Sequence, residues 1–398
     1  MIAPVARMYS HIPVMLSEVT AAADTAITSV RVEETRSSSS TTAASSASRE
    51  RTTHIDCTLG GAGHACHLLH QVHGLTHLVG FDPDGEAIAA SVARFDDFGV
   101  SICRDLWQQK QDGSLSHLSQ HGHPACETQV DVVHGSYEHV LPTLLSLSHN
   151  RSRHFSGVAS ILLDAGVSSH QLDTPHKGFS YKQDQLNPTL DMRFASQLPG
   201  KLLKNVPSAL GSAKPCFAPA LTAHDVINTW SVVRIADTLK VHGDLSPRIA
   251  EQMASAVLAA RARAPIDSAS QLASVLSNAA GHASSGPMHQ SSFHLARAVG
   301  PAMAAIRIAV NSEMAVLRGA LSLLPHLLLP GGVATVLTFQ PNERQAVLDA
   351  WRPLLRAGQL RWMPAGGGKR GLRPSPEECA TNPRAKPTTL FAVQRCSQ

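Results

Sequence analysis

The chain has 398 residues, 43% of them apolar and 4% aromatic, with a formal net charge of +4. That length exceeds one average domain, and the apolar content supports a real core, which excludes a fibrous or wholly disordered chain. Seven scattered cysteines with no CxxC pair argue against a disulfide framework or a structural zinc. No apolar run reaches the roughly 18 residues of a membrane helix, and the mild basic excess is compatible with a nucleic-acid partner.

In chain order, residues 1–10 read as an N-terminal extension, and His11-Ile12-Pro13-Val14-Met15-Leu16 opens the ordered part. Residues 33–53, EETRSSSSTTAASSASRERTT, hold too few apolar groups to bury a core and read as a disordered or loosely packed insertion. Next comes HIDCTLGGAGHACHLLHQVHGLTHLVGFDPD, residues 54–84. One apolar run ends in Asp56, a glycine turn leads to Gly63 and His64, a helical spacing follows, and a second apolar run ends in Asp82. Strand, glycine turn, helix and strand, with an acid about 20 positions past the glycines, is the arrangement of a nucleoside-binding half-fold. Glycine lets a ligand approach the backbone, and a carboxylate at a strand tip can accept from both ribose hydroxyls. The spacing is G-G-x-G rather than the G-x-G-x-x-G of dinucleotide sites, so the turn alone is also compatible with a structural connection.

Residues 107–129 are polar and read as a loop insertion, and residues 130–134 read as a third strand leading to Tyr137. Residues 158–163 form a continuous apolar strand, as burial on both faces requires, ending in Asp164. Strands alternating with helices argue for a parallel, doubly wound sheet, whose ligands sit beyond the carboxyl ends of the strands. After Arg193 the pattern changes. Thr222-x-x-Asp225 and Ser268-x-x-Gln271 are capping boxes, and Ser246-Pro247 is a helix start, so residues 196–296 read as an inserted helical domain. The sheet domain, begun over residues 11–195, resumes over 297–398. There the pattern gives a helix at 303–329, a buried strand at 333–339 and a last strand near 390–393. His67, His70, His73 and His77 drift around a helix with no carboxylate or cysteine to complete a metal set.

Ten stretches carry a resemblance: HIPVMLSEV (11–19), DCTLGGAGH (56–64), GFDPDGEAIA (80–89), HGSYEHV (134–140), LLDAGVSSHQLD (162–173), GFSY (178–181), LDMRF (190–194), IRIAVNSE (306–313), PGG (330–332) and NPRAK (382–386). In these the chain resembles the MraW/RsmH family of S-adenosylmethionine-dependent methyltransferases, which act on the N4 amine of a cytidine in small-subunit ribosomal RNA. The resemblance implies an α/β fold: a Rossmann-like methyltransferase sheet with helices on both faces and an inserted helical domain that helps hold RNA. It implies donor contacts from Gly60, Ala62, Gly63, His64, Asp82, Tyr137, Asp164 and Gln171, with Tyr137 against the adenine. It implies no metal.

Cytosine N4 is a poor nucleophile because its lone pair is delocalised into the ring. A group that accepts an N–H hydrogen bond and orients the amine assists attack, and Asp164 is the candidate catalytic residue; a purely donor-binding role is the alternative. Three departures stand out. Ala62 replaces a family glycine, which a negative φ would tolerate. Thr338-Phe339-Gln340-Pro341 replaces Ser-Phe-His-Ser, and residues 297–303 replace a His-Pro run. The missing histidine, with the Ser-rich and Ala-rich insertions, motivates a second reading, a small-subunit assembly factor with weak or no catalysis. A nicotinamide-dependent dehydrogenase is disfavoured by the turn spacing. Small-subunit rRNA is the expected partner, with ribosomal proteins, assembly factors and a second copy of the chain as further candidates and no membrane. The basic cluster Lys369, Arg370, Arg373, Arg384 and Lys386 suits phosphate contact. The insertions suggest a mitochondrial version, with the cytoplasm as the alternative.

Overall fold

The computed structural model describes residues 12–38, 52–97, 102–110, 115–121, 128–138, 141, 144, 157–181, 189–196, 221–283 and 291–397. Among them the strands are β1 (Thr53–Asp56), β2 (His77–Asp82), β3 (Ile102–Gln109), β4 (Leu115–His121), β5 (Thr128–His134), β6 (Val158–Asp164), β7 (Leu328–Thr338), β8 (Leu360–Trp362) and β9 (Thr389–Arg395). They form one sheet in the order β4-β3-β5-β2-β1-β6-β7-β9-β8. The run from β3 through β5, β2, β1 and β6 to β7 is parallel, while β4 and β9 are antiparallel to their neighbours. The chain steps outward from β1 to β2 on one side and reaches β6 on the other. The topological switch therefore lies between β1 and β6, and the crevice beyond their carboxyl ends is where such sheets bind ligands.

The chain divides into two units, the first holding the whole sheet and the second made of residues 167–194 and 218–314. In the first unit, α1 (Leu16–Ser38) buries Val19, Ala22, Ala23, Ala26, Ile27 and Val30, a stripe at helical spacing. It lies on β6 and β7 against Leu162, Val333 and Leu337. Two shorter helices, α2 (Gly63–Gln71) and α3 (Gly85–Asp96), follow β1 and β2; Asp84 caps α3 by accepting from Glu86 N–H at 3.1 Å.

The second unit is helical: α4 (Ser169–Asp173), α5 (Ala223–Thr229), α6 (Val232–Gly243), α7 (Pro247–Arg261), α8 (Ala269–Ala283) and α9 (Ser291–Asn311). Leu190, Met192, Val226, Leu239, Met253, Leu272 and Ile306 share its core. The predicted starts are present: Thr222 and Asp225 cap each other, Pro247 is the first residue of its helix, and Ser268 pairs with Gln271. Asn311 holds the LDMRF stretch, donating to Met192 O at 2.7 Å and accepting from Phe194 N–H at 2.8 Å. The chain then returns to the first unit along α10 (Glu313–Leu327), followed by α11 (Pro341–Arg356) and α12 (Pro376–Thr381).

Several expectations change. Residues 33–38, placed in the Ser/Thr-rich insertion, continue α1, since Glu and Arg sustain a helix; residues 39–51 lie outside the described residues. Residues 107–129 are not one loop. β3 runs to Gln109 and β4 pairs with it, a polar edge strand whose His117 bonds Asp105 at 3.0 Å, because an edge strand needs backbone partners more than an apolar face. The second unit is residues 167–194 and 218–314, where the insertion was expected over 196–296. The pattern over 303–329 is two helices broken at Ser312, whose φ is +52°.

Candidate active site

The turn after β1 is fastened to strands on both sides. Cys57 N–H donates to Leu162 O at 2.9 Å and Leu59 N–H to Phe81 O at 2.8 Å. Thr58 Oγ1 accepts from Asp164 N–H at 2.8 Å, and Gly60 N–H donates to Asp82 Oδ2 at 2.8 Å. The turn thus bridges the carboxyl ends of β2 and β6, across the switch point. Gly60 is left-handed at φ +53°. Ala62 is too, with φ +59° and ψ +31°, so the negative φ that would have made alanine harmless is absent. The turn dictates that angle, and the side chain yields to it. Gly63 is glycine for another reason: a Cβ there would lie 2.6 Å from Pro13 Cγ. His64 is buried on the same side, its Nε2 2.9 Å from Val14 O; a carbonyl only accepts, so Nε2 carries the proton.

At the end of β2, Asp82 is buried and oriented by two backbone donors, Gly60 N–H on Oδ2 and Asp84 N–H on Oδ1, both at 2.8 Å. Gly135 N–H donates to Asp82 O at 3.1 Å, placing Tyr137, half-buried, just past β5 on the same rim. His134 at the end of β5 is fully buried, its Nε2 2.9 Å from Ser196 O and 3.2 Å from Pro83 O. Burial holds its pKa down to about 4 against the pull of those carbonyls, so it is a neutral donor. Ser196 Oγ in turn donates to Asp84 Oδ1 at 2.6 Å, tying the segment after LDMRF to the β2–α3 turn.

The third component is a group of carboxylates. Asp164, at the end of β6, is partly open to the rim, but its Oδ1 is shut off from solvent with no hydrogen-bond partner. Burial, then the negative charges of Asp56 and Glu343, push its pKa up to about 8. Asp56, fully buried at the end of β1, is raised by burial to about 7 although Thr58 N–H donates to it at 3.0 Å. Glu343 is buried in the first turn of α11, accepting from Phe339 N–H at 2.7 Å and Gln340 N–H at 3.0 Å. Sequence reasoning passed over Thr58 and Glu343. The latter was legible, since Gln340-Pro341-x-Glu343 has the form of a helix start with its capping acid.

Seven of the eight predicted donor contacts, Gly60, Ala62, Gly63, His64, Asp82, Tyr137 and Asp164, come together on one rim of the first unit. Gln171 belongs to the second unit, where its Oε1 accepts from Ser168 N–H at 3.0 Å and caps α4. His77 is a β2 residue, 2.8 Å from Asp131 Oδ2, rather than a member of the α2 histidine row. The basic C-terminal residues are exposed, and Arg373 also donates to Pro387 O and Thr388 O, both at 3.0 Å.

S-adenosylmethionine fits this rim on two counts. Asp82 is fixed at the strand tip that faces a ribose in such folds, and Asp164 Oδ1 is a buried acceptor whose acidic neighbours favour a cation beside it. The MraW methylase family matches residues 8–201 and 216–396, nearly the whole chain. The chain belongs to the MraW methylase family. Among relatives of this methylase is the ribosomal RNA small subunit methyltransferase H of Lactobacillus gasseri, 28% identical over 314 residues, 78% of this chain and 79% of that protein. The protein of the same name from Symbiobacterium thermophilum is 29% identical over 358 residues, 87% of this chain and 92% of that protein.

Proposed function

We propose that this methylase transfers the methyl group of S-adenosylmethionine to the N4 amine of a cytidine in small-subunit ribosomal RNA. The observation that carries the reading is the meeting of the glycine turn, Asp82 and Asp164 across the β1–β6 switch point in a chain of this family. When bound, S-adenosylmethionine supplies an activated methyl on a cationic sulfur. Asp82 would hold the ribose hydroxyls, the 60–63 backbone would line the donor, and Tyr137 would offer its ring to the adenine. Asp164 would accept a hydrogen bond from the cytosine amine, turn its lone pair toward the methyl, and take the proton the amine loses as the N–C bond forms and the S–C bond breaks, leaving the neutral thioether product. Positioning and exclusion of water supply the rest. The exposed Lys369, Arg370, Arg373, Arg384 and Lys386 contact RNA phosphates.

The test is methyl transfer from labelled S-adenosylmethionine to small-subunit RNA. The native chain transfers label, and Asp164→Asn loses activity by a factor of about 10²–10⁴, the usual worth of a positioned proton acceptor. Donor binding by the native chain without any transfer would favour the assembly-factor reading, which rests on Gln340 standing where the family has histidine. The Ser/Thr-rich and Ala-rich insertions favour a mitochondrial location, to be tested by imaging the tagged full-length protein.

A further inference from the structure

Residues 12–15 meet residues 378–382 beside the glycine turn. Asn382 Nδ2 donates to Ile12 O at 3.2 Å, and Glu378 Oε1 accepts from Met15 N–H at 2.6 Å. Met15 is fully buried with φ +51°, a conformation L residues rarely adopt and which persists only where its surroundings hold it. Between those two anchors, Pro13 lies directly on Gly63 and Val14 O receives the His64 ring nitrogen at 2.9 Å. Residues 12–15 are thus fixed from the C-terminal side by α12 and Asn382, and on their other side they press on the start of α2. Gly63 has no side chain because Pro13 occupies that space, and His64 keeps its orientation because Val14 is held still.

We infer that residues 12–15 form a strap that sets the shape of the donor turn, and that Glu378 and Asn382 are positioning residues for methyl-donor binding. This rests on the function proposed above. Neither residue lies in the turn or on a strand end; each acts through the strap on Gly63 and His64. Removing either anchor leaves Asp82 and Asp164 on their strands and loosens only the turn. The strap therefore governs donor affinity and leaves the chemical step alone.

The experiment uses the full-length chain. S-adenosylmethionine binding is titrated calorimetrically, steady-state methylation is measured with small-subunit RNA, and Tm is recorded for each variant. Glu378→Ala and Asn382→Ala raise the donor Kd and KM, by about tenfold for the shorter bond at Glu378, with kcat at saturating donor within about twofold. Glu378→Gln, which keeps an acceptor oxygen, restores most of the affinity. Trp351→Phe, on the buried face of α11, lowers Tm without moving the donor Kd and so separates loss of stability from loss of positioning. An unchanged Kd in both anchor variants, or a fall in kcat with KM unchanged, would overturn the strap while leaving the enzyme assignment intact. Absence of donor binding by the native chain would overturn both.

Discussion

At the scale of single residues, the donor turn shows that its glycines answer different demands. Gly60 supplies a left-handed backbone, whereas Gly63 makes room for Pro13. The motif G-G-A-G shows where small residues fall but not which reason applies to each, because the second reason depends on a residue 50 positions away. Ala62 carries the opposite lesson. Its methyl is buried and its φ is +59°. A left-handed alanine costs about 1–2 kcal/mol, while a buried methyl returns about 0.8 kcal/mol. Strain wins by a small margin, so Ala62→Gly stabilises the chain by up to about 1 kcal/mol, read as a higher denaturant midpoint with unchanged m. A lower midpoint would mean that the methyl's packing outweighs the strain.

At the scale of elements, the parts with regular periodicity were readable. The β1–α2–β2 unit, β6 and the starts of α5, α7 and α8 follow from patterns within a few residues. What escaped was decided by pairing. β4 is polar and owes its existence to β3, and β8 is a three-residue strand completed by β9. The missed α11 matters most for the site, because its first turn delivers Glu343 into the carboxylate group. Glu343 does two jobs there: it accepts from the N–H groups of Phe339 and Gln340, and its charge acts on Asp164. Glu343→Gln separates them. Weakening a charge-assisted cap costs about 1 kcal/mol of stability. Removing the charge also lowers the pH at which Asp164 titrates, which carbon NMR of the Asp164 carboxyl reads directly. A loss of stability with no movement of that titration would show that Glu343 is a cap only.

At the scale of the whole molecule, its buried titratable groups make the sheet unit respond to pH in a way that the donor should change. His54, fully buried with neither ring nitrogen hydrogen-bonded, is held down to about 3 by burial and then by the charge of His64, and His134 to about 4. Both have folded pKa values below their unfolded ones, so their contribution is complete above about pH 6.5 and is lost as pH falls. Burial raises Asp56 to about 7, and burial, then the charges of Asp56 and Glu343, raise Asp164 to about 8. Their contribution is complete below about pH 4 and is lost as pH rises through 7 to 8. Between about pH 4 and 6.5 the two pairs oppose each other, but above 6.5 the histidines are spent and only the carboxylates act. Stability of the donor-free chain therefore falls from about pH 6.5 to 8, with a slope of up to about 1.4 kcal/mol per pH unit for each proton lost. Asp164→Asn removes one of those protons and shallows the decline. Saturating S-adenosylmethionine shallows it as well, because a cation favours the ionised carboxylate, whereas the neutral demethylated product leaves the slope as it was. Urea unfolding at half-unit pH steps, with and without each ligand, measures all four curves. A donor-free curve that is flat or rising over this interval would mean that the carboxylates beside the switch point are not held protonated, and the account of why a cationic donor is preferred there would fall with it.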